Sequence, residues 1–308
     1  MPETIRINSV TRVVVMSQDN PPAAYVPQGV PVVFETLDAF GNALRSEDDL
    51  FSSAGPDCVN PATGPVFIED AEPGDMLRVD ILDIQLAERG LIATMPGLGE
   101  MGDRVVERTR FVPIEKGKAC FEWQTASGVL RRELPIRPMI GVIGVAPAGE
   151  AELTDFPGRH GGNMDCARVA AGAALYLPVA APGALFAAGD VHALMGDGEV
   201  AICGVEMAGE VTVSFTVIKA KKWPLPLLVE GEHLMTLASE DSLDAAATAA
   251  TRNMHEFLAQ ELGMDQTAAA MLLSVEGDLR TCQVVNPRKT ARMELPLAVL
   301  RECGYELP

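Results

Sequence analysis

The sequence predicts a mainly β protein with a helical layer near its C-terminus. Three observations lead there. Short runs rich in Val, Ile and Phe recur through the chain, each bounded by Gly, Pro, Asn or Asp. Several of these runs alternate apolar and polar residues with the two-residue period of a half-buried strand. Helical spacing of apolar residues is confined to a late stretch, residues 239 to 277.

The first half reads as strands at residues 12–16, 30–36, 65–70, 76–84, 118–123 and 139–146. In "LRVDILDI", Leu77, Val79 and Ile81 share one face, and Arg78 and Asp80 share the other. "EPGD" (72–75) is a turn, with Pro fixing φ at its second position. Residues 151–183 read as a loop-rich crossing, and further strands are expected at 183–194, 199–219, 227–238 and 281–287. "VTVSFTVI" alternates strictly and belongs half buried in an antiparallel sheet. A long helix is expected over 239–263, capped by Ser239 or Asp241 and stopped at Gly263. Its buried stripe is Leu243, Ala247, Ala250, Met254, Phe257 and Leu258. A shorter helix follows over 265–277, capped by Asp265. Without a repeat or low-complexity linker, the 308 residues read as one domain, with a β-rich half at 1–150 and a second half at 151–308 carrying helices at 239–274.

Charge narrows the function. Asp and Glu number 43 against 24 Lys and Arg, a net charge of -19. Such a field repels nucleic-acid phosphates and anionic membranes, so neither partner is expected. The start "MPETIRINSV" has no apolar signal core, and no run approaches the 18 apolar residues of a membrane span. Six scattered cysteines (58, 120, 166, 203, 282 and 303) form no CxxC pair and read as reduced thiols in a cytoplasm.

Polar groups concentrate in two glycine-rich windows. "GRHGGNMDC" (158–166) holds His160, Asn163 and Asp165. "GDVHALMGDGEVAICGVE" (189–206) holds Asp190, His192, Asp197, Glu199 and Glu206. Asp-x-His on a strand puts both side chains on one face. Two imidazoles with several carboxylates would suit Zn²⁺ or a similar borderline cation, and the glycines would let backbone approach closely. The plainer alternative is that each polar residue bonds to loop backbone, and that "GDGE" is a solvated turn. His233 and His255 read as structural, at a strand end and a helix border. Glu35 and Asp38, in "VVFETLDAFGN", are carboxylates after an apolar run. Glu35 is either a buried base with a raised pKa or a solvated acid on an outer face. Cys166, with His160 or Arg168 to activate it, is a candidate nucleophile, although most lone cysteines are small buried hydrophobes. "KKWPLPLLV" (221–229) is either a subunit contact or a Pro-interrupted loop with Trp223 against the core.

Beyond these local readings, the chain resembles the acetamidase/formamidase family. The resemblance rests on "FETLDAFG" (34–41), "NPATGPVFIEDAEPGD" (60–75), "PMIGVIGVAP" (138–147), "HGGNMD" (160–165), "GALFAAGDVHALMGDGEV" (183–200), "MLLSVEGDLR" (271–280) and "VNPRKTARMELP" (285–296), which occur in the family's order along nearly the whole chain. It implies a β-sandwich or jelly-roll-like core with a smaller C-terminal helical layer, and hydrolysis of a short aliphatic amide, formamide or acetamide, to ammonia and the carboxylate. It also implies a divalent ion, zinc, with calcium at a second place, and a homo-oligomer, a dimer. On that basis His160, Asp165, Asp190 and His192 are the expected metal positions. Glu35, Asp38 and Glu206 are the carboxylates from which a proton acceptor is expected, and Asn163 would bond the amide or its oxyanion. Val191 fills the variable place of the family's "GDVH" motif, and "ICGVE" before Glu206 is more apolar than the family's usual small polar residues. The alternatives are a thiol amidase using Cys166 and a non-catalytic binder of a small ligand with the same fold.

Overall fold

The computed structural model describes residues 4–55 and 59–308, so Cys58 lies outside the described residues. Two large sheets carry the fold. The first runs in the order Ile5–Ile7, Val32–Thr36, Gly209–Ile218, Met76–Leu86, Ala174–Pro178, Leu227–Glu230, His233–Glu240, Lys289–Pro296, Asp278–Gln283. The second runs Gly128–Pro135, Lys118–Thr125, Arg108–Glu115, Arg89–Thr94, Glu206–Met207, Phe186–His192, Met139–Gly144, Gly161–Asn163, with Ala62–Ile68 also paired to Phe186–His192. The expected mainly β class with a smaller helical part is therefore what the chain adopts.

The sheets pack face to face. Phe34, Val79, Val211, Val213 and Phe215 of the first meet Ile140, Ile143, Phe186 and Val191 of the second in one buried cluster. Phe186 sits edge-on to both Phe34 (centroids 5.5 Å apart) and Phe215 (4.9 Å), a favoured arrangement of ring quadrupoles. In Gly209–Ile218 the alternation works as expected: Val211, Val213 and Phe215 are buried while Thr212 and Ser214 are only partly so, and the strand pairs antiparallel on both sides.

The opposite face of the first sheet is covered by the helices. Tyr176, Leu227, Leu234 and Leu295 meet Ala250, Met254, Phe257 and Leu258 of the helix Leu243–Glu261. That helix starts later than expected. Its cap is Ser242, whose side chain accepts from Ala245 N at 3.2 Å. Ser239 is unavailable because the strand His233–Glu240 still pairs it with Thr290. Asp265 caps Gln266–Glu276 as expected, accepting from Thr267 N and Ala268 N.

Three sequence readings change. The crossing at 151–183 contains strands Glu152–Leu153, Gly161–Asn163 and Ala174–Pro178. The strand expected over 199–219 begins only at Glu206, because the chain before it turns, with Glu199 and Ile202 at positive φ. The buried strand Lys289–Pro296 was not expected as one, since "KTARMELP" looks too polar for a core. Arg292 and Glu294 are nevertheless only 4% and 5% exposed. Arg292 Nε donates to Glu294 Oε1 at 2.6 Å, and its Nη2 donates to Asp197 Oδ2 at 2.7 Å, so the charges enter paired. Trp223 is 4% exposed and packs against Tyr176 and Phe257, as the loop reading of "KKWPLPLLV" expects.

Replacing Phe186 by alanine removes the ring that bridges both sheets. Chemical denaturation should show a loss of about 3–5 kcal/mol. A loss below about 1 kcal/mol would mean that the sheets do not depend on this contact.

Candidate metal and catalytic centre

Four carboxylates and one imidazole converge between buried strands. Asp190 and His192 belong to Phe186–His192, Glu206 opens the strand paired beside it, Asp165 follows Gly161–Asn163, and Glu199 comes from the preceding turn. All five are buried, with Asp165 and His192 each 1% exposed. His192 Nε2 lies 3.3 Å from Asp190 Oδ1, 3.0 Å from Glu206 Oε2 and 4.0 Å from Asp165 Oδ1. Asp165, Asp190 and His192 offer ligand atoms all within 4.8 Å of one another, and so do His192, Glu199 and Glu206.

The local backbone is shaped for this convergence. Asp165, Asp190 and Glu199 all sit at positive φ (42°, 53° and 47°), an uncommon region for residues with a side chain, which is occupied when surroundings enforce it. Gly141 lies opposite Asp190 on the neighbouring strand. A Cβ there would fall 2.4 Å from both Asp165 Oδ1 and Asp190 Oδ2. Only glycine leaves the floor on which these two oxygens meet. Gly204 does two things: its N–H donates to Glu199 Oε1 and Glu206 Oε1, each at 3.0 Å, and a Cβ there would stand 2.7 Å from His192 Nδ1.

Electrostatics follow from crowding. Burial first, then the Asp190 charge, push Asp165 up to about 6. Burial pushes Glu206 up to about 8, opposed by His192 and supported by Asp190. Glu199 is raised well above the usual carboxylate range by burial and by Asp165. Burial would lower His192, but the charges of Glu206 and Asp190 outweigh it and raise the ring well above its ordinary value. Glu206 Oε2 lies 3.0 Å from His192 Nε2, and Asp165 Oδ1 and His192 Nδ1 are buried without a hydrogen-bond partner among the described residues. Buried carboxylate oxygens crowded around one imidazole are a donor set suited to a divalent cation. Asn286 anchors Asp165, since its Nδ2 donates to Asp165 Oδ2 at 2.7 Å and to Asn163 O at 2.8 Å.

The centre opens into a cavity of about 320 Å³ faced by Asp190, Glu199, Glu206 and Asn163. Asn163 Oδ1 is buried and has no hydrogen-bond partner among the described residues.

Other expected residues stand apart. His160 is in neither ligand group. Its buried ring lies against Gly158 and Gly162 in a separate pocket with Glu152 and Arg288, because the chain turns between His160 and the residues that reach the centre. Glu35 is on the outer face: Phe34 takes the inward position of the alternating strand, and Glu35 Oε1 pairs with Arg6 at 2.8 Å. Asp38 closes its own turn by accepting from Phe40 N and Asn42 N, but unlike the others it stays near the centre, lining a second cavity with Glu206, its pKa raised by burial and by the Asp190 charge. Cys166 is fully buried in the same core cluster as Cys282, and it does not line the cavity. His255 Nε2 lies 2.8 Å from Gln266 O between the two helices. Asn286, Gly141 and Gly204 were missed. The only sequence signal for Asn286 was the family-like "VNPRKTARMELP".

A β-sandwich that buries a carboxylate–imidazole centre of this kind defines a class of protein, and comparison gives the family. A model of the Acetamidase/Formamidase family matches residues 16–153 and 145–302, so the chain belongs to that family. A crystal structure of an acetamidase from Bacillus halodurans is 44% identical, with a TM-score of 0.92 over 97% of this chain and 100% of that one. An acetamidase structure from Yersinia enterocolitica is 29% identical, with a TM-score of 0.89 over 97% and 93%. A formamidase of Methylophilus methylotrophus is 27% identical over 254 residues, 65% of this chain and 62% of the relative. The chain thus spans about three fifths of the length of the curated relatives it matches.

Two outcomes test this description. Burial pushes His160 down to about 4. Its contribution is therefore present above the unfolded value near 6.5 and lost as pH falls toward 4, by up to about 3 kcal/mol. Denaturation of His160→Gln should vary less between pH 7 and pH 4.5 than that of the wild type, and equal slopes would contradict the burial account. Gly141→Ala should leave the chain folded by circular dichroism but weaken divalent-ion binding at least tenfold in calorimetric titration. Unchanged affinity would show that the two carboxylates do not meet over that glycine.

Proposed function

We propose that the protein hydrolyses the C–N bond of a linear primary amide, with a divalent cation held by Asp165, Asp190 and His192. Formamide and acetamide are the short aliphatic amides that the names of its relatives suggest. The observation that carries this reading is the crowding of three buried carboxylate oxygens, Asp190 Oδ1, Asp165 Oδ1 and Glu206 Oε2, to 3.3, 4.0 and 3.0 Å from His192 Nε2. Zinc suits a set of one imidazole and carboxylates, whereas calcium prefers six to eight oxygens.

Such a cation supplies Lewis acidity to the amide carbonyl and lowers the pKa of water at neutral pH. The protein's own groups then handle orientation and protons. Asn163 Oδ1, facing the cavity without a partner, accepts an N–H of the substrate and fixes which way the amide points. Glu206 Oε2 takes a proton from the attacking water and delivers it to the departing nitrogen. The balance is one water consumed, one C–O bond formed, one C–N bond broken, and ammonia and the carboxylate released. Asn286 keeps Asp165 oriented.

The test is ammonia release from formamide and acetamide. Chelated protein should lose at least about 100-fold in rate and regain it with Zn²⁺, and full activity after verified metal removal would overturn the reading. Glu206→Gln should keep the metal but lose about 10²–10⁴-fold in kcat, whereas a loss of only a few-fold would take the proton transfer away from Glu206.

A further inference from the structure

The cavity beside the centre is much larger than the smallest amides require. Water occupies about 30 Å³ of liquid volume, so formamide, with three heavy atoms, fills no more than roughly a third of 320 Å³. Much of the remaining wall is apolar, with Phe40, Phe51, Leu98, Ile202, Val285 and Pro287, and Asn60, Asp155, Asn286 and Lys289 also line it. Phe40 and Phe51 pack edge-on, with centroids 5.1 Å apart and planes at 82°. Phe40 belongs to a buried cluster with Ala39, Leu91 and Cys203, against which Phe51 and Ile202 also pack. Phe40, Phe51 and Ile202 are therefore braced by the fold, whereas Leu98 at the edge of the wall is 37% exposed. An apolar wall ending in a few convergent polar groups is the usual form of a site for a ligand with an apolar body and one polar end.

We propose that the preferred substrate is a primary amide whose acyl group carries a branched or aromatic hydrocarbon of about five to seven carbons. This deepens the proposed amide hydrolysis and rests on it. The carboxamide faces Asn163 and Glu206, and the hydrocarbon lies against Phe40, Phe51, Ile202 and Leu98. Water adds its oxygen to the carbonyl carbon, the C–N bond breaks, and ammonia leaves with the proton taken from water. The products are ammonia and an apolar carboxylate. Formamide and acetamide are accepted because they fit, but they leave the apolar wall wet. Each methylene moved from water to that wall should raise kcat/KM roughly fourfold.

The experiment measures ammonia release by the metal-loaded full chain from formamide, acetamide, isovaleramide and phenylacetamide. The expected result is a kcat/KM for isovaleramide and phenylacetamide at least tenfold above that for acetamide. Leu98→Trp, which places a larger side chain in the cavity, should lower the ratio of phenylacetamide to acetamide kcat/KM at least tenfold. If acetamide or formamide is hydrolysed and the larger amides are no better, the inference is overturned while amide hydrolysis stands. If none of the four releases ammonia, both fall together. If Leu98→Trp leaves the ratio unchanged, the apolar chain does not lie against this wall.

Discussion

The structure is organised by the burial of four carboxylates around one histidine. Charges removed from water are costly unless they are paired, protonated or bound to a cation. Asp165, Asp190, Glu199 and Glu206 share a single imidazole, His192, in the two ligand groups. The raised positions of Asp165 and Glu206 measure that imbalance. A divalent cation relieves it without adding a side chain. Elsewhere the same chain buries charge with its counter-charge, as at Arg292 between Asp197 and Glu294. The contrast between the two places separates a centre built to take something up from one that is already complete.

The surrounding fold makes this arrangement possible. Hydrophobic packing between the sheets, centred on Phe34, Phe186 and Phe215, fixes the strand that carries Asp190 and His192. Three acidic residues in the left-handed region and two glycines with no room for a Cβ show that the backbone is held in place by its neighbours. Such positions each cost of order 1–3 kcal/mol and persist where surrounding structure over-determines them. The apolar side of the cavity comes from another cluster, around Phe40. The carboxylate centre and the apolar wall beside it are thus supplied by different parts of the chain.

Much of this was legible in the sequence. Period-two alternation located the strands that face the core, and the spacing in "GDVH" put Asp190 and His192 on one face. The glycine-rich windows marked where backbone approaches closely. What failed was reach. His160 shares a window with Asp165, yet its ring turns into a separate pocket with Glu152 and Arg288, and sequence proximity carries no information about that turn. Glu35 followed an apolar run, but alternation had already assigned the inward place to Phe34. The strand Lys289–Pro296 was hidden because its buried charges are neutralised by partners far away in sequence, such as Asp197. Asn286 acts through a contact 121 residues distant, which no local pattern records.

The central claim is that a divalent cation completes this centre. Crystals grown with Zn²⁺ and measured at its absorption edge test it directly. The account predicts one strong anomalous peak per chain, bound by His192 Nε2, Asp165 Oδ1 and an Asp190 oxygen at about 2.0–2.2 Å. A map with no peak there, with His192 still within hydrogen-bonding distance of Glu206, would contradict it.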